Sequence, residues 1–144
     1  MQKKCRQALP FAKQKTDFLS DMSEVQLAEP SGKLNMLILV TDDAIGAKAN
    51  HHGARLLRQI INGLASKKPL PNAMIFLNRA VYLTSENSAL LSTLRQLEAE
   101  GVAVLSNCSC LEQYDLMEKL AVGGLTNSYH VAELIKLAKN TVTL

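Results

Sequence analysis

Apolar and polar positions follow two rhythms along this chain. Leu34 to Thr41 (LNMLILVT), Ala73 to Leu77 and Val102 to Leu105 are nearly continuous apolar runs, as expected of strands buried on both faces of a sheet. Between them the period lengthens. Leu56, Leu57, Ile60, Ile61 and Leu64 recur at helical spacing and predict an amphipathic helix over Arg55 to Leu64. Pro69-Leu70-Pro71-Asn72 predicts a turn. Ser85-Glu86-Asn87 opens a second helix whose inner face is Leu90, Leu91, Leu94 and Leu97 and which ends at Gly101. A short helix is expected around Leu111 to Leu120, and the Gly-containing Ala121 to Thr126 reads as a fourth strand. Asn127 to Ala138 is predicted helical with Val131, Leu134, Ile135 and Ala138 inward, and Thr141 to Leu144 is a β-prone tail. Strands alternating with helices imply βαβ units, hence an α/β fold with a mostly parallel sheet covered on both faces.

Residues 1–33 depart from this regularity. Phe11, Phe18, Met22 and Val25 fit one helical stripe, and Glu29-Pro30-Ser31-Gly32-Lys33 reads as a linker. The expected organisation is an N-terminal arm or linker over 1–33 and an α/β domain over 34–144. The arm reads either as a docking element for a partner or sister subunit or as a loosely held leader.

Composition narrows the class. A chain of 144 residues with 47% apolar and 20% charged residues is the size and make-up of one globular domain with a real core. The net charge of +3 is concentrated before Asp17, where Lys3, Lys4, Arg6, Lys13 and Lys15 lie. With three Phe, three Tyr and no Trp, the chain has few platforms for stacking bases, so no nucleic-acid partner is expected. Three cysteines do not make a secreted disulfide scaffold. No apolar run approaches the roughly 20 residues of a membrane span, and Gln7 to Thr16 is too polar for a signal-peptide core. A cytoplasmic location away from membranes is expected. No glycine-rich phosphate loop, Cys-x-x-Cys or Gly-x-Ser-x-Gly occurs, so no nucleotide or other cofactor is implied.

Candidate chemistry concentrates in Ser106-Asn107-Cys108-Ser109-Cys110-Leu111, between the third apolar run and a helical pattern. Such a turn lies at the carboxyl edge of a parallel sheet, where ligands bind, and backbone N–H groups at a helix start favour thiolate. Cys110 is expected directly before the helix and is the better nucleophile. Cys108, nearer the strand, is less accessible and would serve as a second thiol. Against this stands a bland reading in which both pack as small hydrophobes. His51-His52 is expected in the loop after the first strand, at the same edge as the cysteines, either as a solvated loop or as a substrate contact; two thiols with one or two imidazoles could also form a soft-metal site, although the spacing matches no ligand motif. Asn78 and Arg79 end the second strand, and Arg79 either stabilises a thiolate or persulfide or is a plain surface arginine. Asn127 either caps the last helix or meets a ligand. His130 is expected to face solvent.

Ile75-Phe76-Leu77-Asn78, Cys108-Ser109-Cys110-Leu111, Leu120-Ala121-Val122-Gly123-Gly124-Leu125-Thr126-Asn127 and Thr141-Val142-Thr143-Leu144, taken in order, resemble the DsrE/DsrF-like (YchN-fold) family. They look like the C-terminal domain of YedF-type proteins, the sulfurtransferase-like selenium metabolism proteins. The resemblance covers about residues 34–144. It implies a three-layer α/β/α fold with a five-stranded sheet, assembly as a trimer or hexamer, and a persulfide on Cys110. The family turn typically reads Cys-Gly-Thr-Cys-Leu. Its last cysteine matches Cys110, whereas Asn107 stands in place of the first and Cys108 in place of the glycine. The family loop Gly-Arg-Gly-Asp-Asp-Glu-Leu-Gly aligns with Gly46-Ala47-Lys48-Ala49-Asn50-His51-His52-Gly53. The outer glycines match, and two histidines replace the acidic cluster. YedF-type proteins also carry a TusA-like domain with a Cys-Pro motif, for which 1–33 is too short and Cys5-Arg6 does not fit. The resemblance therefore implies a sulfur donor or acceptor of TusA-like type supplied in trans. The expected function is sulfur or selenium handling through Cys110, with Cys108 beside it and Asn78, Arg79, His51, His52 and Asn127 around the substrate. The alternative is a non-catalytic oligomeric module that binds a small ligand or a protein, its cysteines inert.

Overall fold

The computed structural model describes residues 34–46 and 51–144. The expected arm over 1–33 and residues 47–50 of the loop before His51 lie outside the described residues. Five strands, β1 (Met36–Val40), β2 (Ala73–Phe76), β3 (Ala103–Asn107), β4 (Gly124–Thr126) and β5 (Asn140–Thr143), form one sheet in the order β4-β3-β2-β1-β5. Every pairing is parallel, so the sheet is wholly rather than mostly parallel.

This order accounts for the layers. From β1 to β4 the chain steps in one direction, and right-handed crossovers then place each connecting helix on the same face. These are α1 (His51–Ser66), α2 (Leu91–Ala99) and α3 (Cys108–Gln113). Return from β4 to β5 runs the opposite way, so α4 (Ser128–Leu137) lies on the other face. The alternation of side chains along each strand divides the core accordingly. Ile38, Val40, Met74, Phe76 and Val104 meet Leu57, Ile61, Leu94, Leu97 and Leu111, whereas Leu37, Leu39, Ile75, Ala103 and Leu105 meet Val131 and Leu134 of α4. The α/β fold with helices on both faces agrees with the sequence reading.

The elements differ from expectation in detail. His51 and His52 begin α1 instead of occupying the preceding loop. Gly53 explains why the helix can start there: a Cβ would overlap the carbonyl oxygen of Ile45, whose own N–H donates to the Gly53 carbonyl at 3.2 Å. Between β2 and α2 the chain forms a 3-10 helix (Asn78–Thr84), which buries Ala80, Val81 and Thr84. The Thr84 hydroxyl meets the Ser106 hydroxyl of β3 at 2.7 Å, pairing two buried polar groups beneath the cysteine turn. The expected helix around Leu111 to Leu120 divides into α3 and a 3-10 turn (Met117–Lys119). The C-terminal tail is a fifth strand at the sheet edge. There the Leu144 N–H donates to Leu39 at 2.8 Å, and the Leu144 carbonyl accepts from the Thr41 hydroxyl at 3.0 Å.

His130 is a correction. It is 2% exposed instead of facing solvent, while Ile135, expected inward, is 42% exposed. The inward stripe of α4 is His130, Val131 and Leu134. His130 Nδ1 lies 2.8 Å from the Thr126 hydroxyl, and its Nε2 is buried without a hydrogen-bond partner. Burial pushes its pKa below the ordinary value of 6.5, outweighing the Glu133 carboxylate, which acts in the other direction. Below pH 6.5 the unfolded chain takes up a proton that the fold refuses, so stability falls with pH until the lowered folded value is reached. Urea midpoints measured between pH 7.5 and 5.5 should therefore decline for the wild type. Within this window the decline should be shallower for His130→Gln, by up to about 1.4 kcal/mol per pH unit.

Candidate functional site

The carboxyl ends of β1, β2, β3 and β4 lie along one edge, and the candidate residues follow them. After β3 the chain turns directly into α3. Asn107 caps this helix: its side-chain oxygen accepts from the Ser109 N–H at 3.0 Å, the Ser109 hydroxyl at 2.7 Å and the Cys110 N–H at 3.3 Å. Such a cap is worth about 1 kcal/mol. It also fixes Cys110, which sits inside the first turn of α3 instead of directly before the helix. Cys108 is the first residue of α3 and is 1% exposed within the core, whereas Cys110 is a free, partly exposed thiol. The sequence ranked the two cysteines in the same order of accessibility.

After β2 the chain bends sharply. Asn78 adopts a left-handed backbone conformation with φ 53°, which asparagine tolerates better than most residues. Its N–H donates to the Cys110 Sγ at 3.1 Å, while its side-chain oxygen accepts from the Tyr114 hydroxyl at 2.9 Å. Asn78 therefore holds the sulfur by its backbone and the end of α3 by its side chain. The hydrogen bond places a partial positive charge beside the sulfur.

Arg79 does not reach for the thiol. Its guanidinium donates to Asp43 at 3.0 Å, approaches Asp42 at 3.7 Å, and lies over the rings of Tyr82 and Tyr114 at 5.0 and 5.9 Å. The two rings pack with centroids 5.4 Å apart. The hydrogen bond to Asp43 raises the Arg79 pKa, with partial burial opposing it. Burial alone would raise the Asp43 carboxyl, but the hydrogen bond and charge of Arg79, with a hydrogen bond at Asp42, bring it below the ordinary carboxylate value. These groups are a third to a half exposed, so the ion pair contributes little to stability. Its effect is positional: it ties the segment after β1 to the 3-10 helix and forms a wall with the Tyr82 and Tyr114 rings.

His51 and His52 line an open cavity of about 590 Å³ between α1 and the 3-10 helix, and Cys110 is not among its lining residues. Arg55 donates to His52 Nδ1 at 3.2 Å. Among the described residues, no group of three or more His, Cys, Asp or Glu side chains is placed to hold a metal ion. Asn127 caps α4, accepting from the His130 N–H at 2.9 Å. The sequence candidates thus separate into a thiol cluster (Cys110, Asn78), an ion-pair wall (Arg79) and a cavity (His51, His52). Tyr82, Tyr114, Asp42, Asp43 and the capping role of Asn107 were not among them. Asp42-Asp43 and Arg79 follow neighbouring parallel strands with opposite charges, which is the signal that could have paired them.

Comparison with known proteins matches this architecture. The chain is similar to the crystal structure of the ychN protein of E. coli, with a TM-score of 0.52 and 17% identity over 76% of this chain and 99% of that one. The fold is thus YchN-like, the five-stranded α/β class expected from the sequence. No family model matches the chain, and no curated protein matches it. Among the described residues no helix is long and apolar enough to cross a membrane.

Proposed function

We propose that this protein handles sulfur through Cys110, accepting a sulfane sulfur from a donor and passing it to an acceptor protein. The observation that carries the reading is the Asn78 N–H donated to Cys110 Sγ at 3.1 Å, on a partly exposed thiol at the carboxyl edge of the sheet. The fold likeness and the resemblance of Cys108-Ser109-Cys110-Leu111 to the YedF-type turn support it. Selenium is the alternative cargo, and a TusA-like protein in trans is the partner this reading favours. An oligomer and a cytoplasmic location belong to the same proposal.

The chemistry balances without an external oxidant. Cys110 thiolate attacks the outer sulfur of a donor persulfide. One S–S bond forms at Cys110 Sγ, the donor S–S bond breaks, and the donor leaves as a thiolate. The attacked sulfur keeps its oxidation level, and delivery repeats the exchange with the acceptor thiolate as nucleophile. Cys108 is buried and disulfide-bonded, so it does not serve as the entering nucleophile in the first exchange.

The test is incubation of the full chain with a low-molecular-weight persulfide, followed by non-reducing peptide mass spectrometry. The expected result is an adduct of one sulfur atom on the peptide carrying Cys110, localised by fragmentation to that residue. A chain that takes up no sulfur, or takes it up elsewhere, would overturn the reading.

A further inference from the structure

The cavity beside the Arg79–Asp43 wall has its own chemistry. His51, Arg55 and Arg58 lie at positions i, i+4 and i+7 of α1 and so share one face, which borders the cavity together with Tyr82 and Ser88. Among the described residues neither Arg55 nor Arg58 has a carboxylate at ion-pair distance, and the one acid on the wall, Asp43, is occupied by Arg79. The remaining polar groups are donors too. His52 Nδ1 is already engaged as the acceptor of the Arg55 contact, because arginine has no acceptor of its own. Ser88 Oγ accepts from the Leu90 N–H at 3.1 Å, which leaves its O–H to donate. Ala54 and Ala89 leave the space open.

We infer that this cavity is a binding site for a small molecule bearing an oxyanion, such as a phosphate or sulfate group, which Arg55 and Arg58 clamp. Two guanidinium forks match the paired oxygens of such a group, and the tyrosine and serine hydroxyls serve the rest of the ligand. The volume of about 590 Å³ falls within the range of small-molecule pockets. A cationic ligand is disfavoured because, among the described lining residues, Asp43 is the only carboxylate and is already paired. The site is separate from the thiol: no residue of the Cys108–Gln113 helix lines it, so it stands whether or not Cys110 carries sulfur.

Titration of the full chain with inorganic phosphate and, separately, with sulfate, in a low-salt zwitterionic buffer, tests the proposal by calorimetry and by amide NMR. The expected result is saturable 1:1 binding of at least one of the two anions, with the largest shifts at His51, His52, Arg55, Arg58 and Ser88. Arg55→Gln and Arg58→Gln should each weaken binding at least about tenfold, the worth of one hydrogen bond to a charged group. Lys67→Gln/Lys68→Gln, at exposed positions beyond the far end of α1, should leave it unchanged. The shift map of the wild type serves even where a variant folds poorly. Absence of saturable binding by both anions, shifts centred elsewhere, or equal weakening in the lysine control would overturn the proposal.

Discussion

Cys110→Ser is expected to lower both alkylation at this position and sulfur uptake from a persulfide by at least about two orders of magnitude, as removal of a nucleophile does. The fold should survive. Cys110 is partly exposed, serine is close in size, and the cap from Asn107 acts on the backbone N–H that serine retains. The Asn78 N–H that donates to the sulfur would find a hydroxyl oxygen in its place. Thermal midpoint and oligomeric state should match the wild type, and so should phosphate binding, because Cys110 does not line that cavity. Paired measurements therefore separate two roles. If Cys110→Ser keeps the anion site and loses sulfur uptake, the wild type carries its sulfur at Cys110. A wild type whose Cys110 reacts with iodoacetamide but never with a persulfide is a binding module with an inert thiol. The readouts are peptide mass spectrometry for the thiol and calorimetry for the anion.

What could be read from the sequence divides along physical lines. Strands buried on both faces leave continuous apolar runs, so β1, β2 and β3 were visible. The alternation with helices then implied a mostly parallel sheet covered on both faces, whereas the strand order, and with it the separate face of α4, is visible only in the structure. The 3-10 helix over Asn78–Thr84 was invisible because it is short and its buried residues, Ala80, Val81 and Thr84, follow no α-helical period. His130 was misplaced because a histidine in a helical pattern defaults to solvent. Its burial depends on the hydroxyl of Thr126, one turn earlier in sequence but at the end of β4. Ile135 was misplaced for a related reason: α4 turns His130, Val131 and Leu134 toward the sheet, which leaves Ile135 on the outer side.

The site followed the same division. Cys110, Asn78, Arg79, His51 and His52 could all be assigned to the carboxyl edge from topology alone. Their partners could not, because contacts across the edge depend on angles that sequence spacing does not specify. Arg79 illustrates this. From the sequence it could either stabilise the sulfur or lie at the surface; Asp43 and the two tyrosine rings hold it in the wall, and the neighbouring backbone N–H reaches the thiol instead. The departures from the YedF-type pattern also gain a local meaning. Where the YedF-type turn that the sequence resembles has a cysteine, this chain has Asn107, whose side chain caps α3 and closes the turn by a hydrogen bond.

The same comparison picked out Gly123-Gly124, and Gly123→Ala is the substitution expected to harm the fold most. Two costs combine at this position. Its φ of +82° lies where L-residues are disfavoured by about 1–2 kcal/mol. An added Cβ would also overlap the backbone carbonyl oxygen of Val104 and approach its Cγ1 at 2.9 Å. Val104 is buried in the middle of β3 and hydrogen-bonded into the sheet, so it cannot give way without moving the strand that ends in the Cys110 turn. Overpacking of that kind costs a further ~1–3 kcal/mol. The expected loss is about 2–5 kcal/mol in the urea unfolding free energy. Gly101→Ala isolates the first cost, because Gly101 has φ +96° but no atom within 4 Å of its would-be Cβ. It should lose only about 1–2 kcal/mol. Gly63→Ala, at an exposed site within α1 with open space around it, should gain about 0.5–1 kcal/mol. Equal losses at Gly123 and Gly101 would mean that the close approach to Val104 imposes nothing. A larger loss at Gly123 would show that this glycine lets β4 lie against β3, which sets the edge on which Cys110 stands.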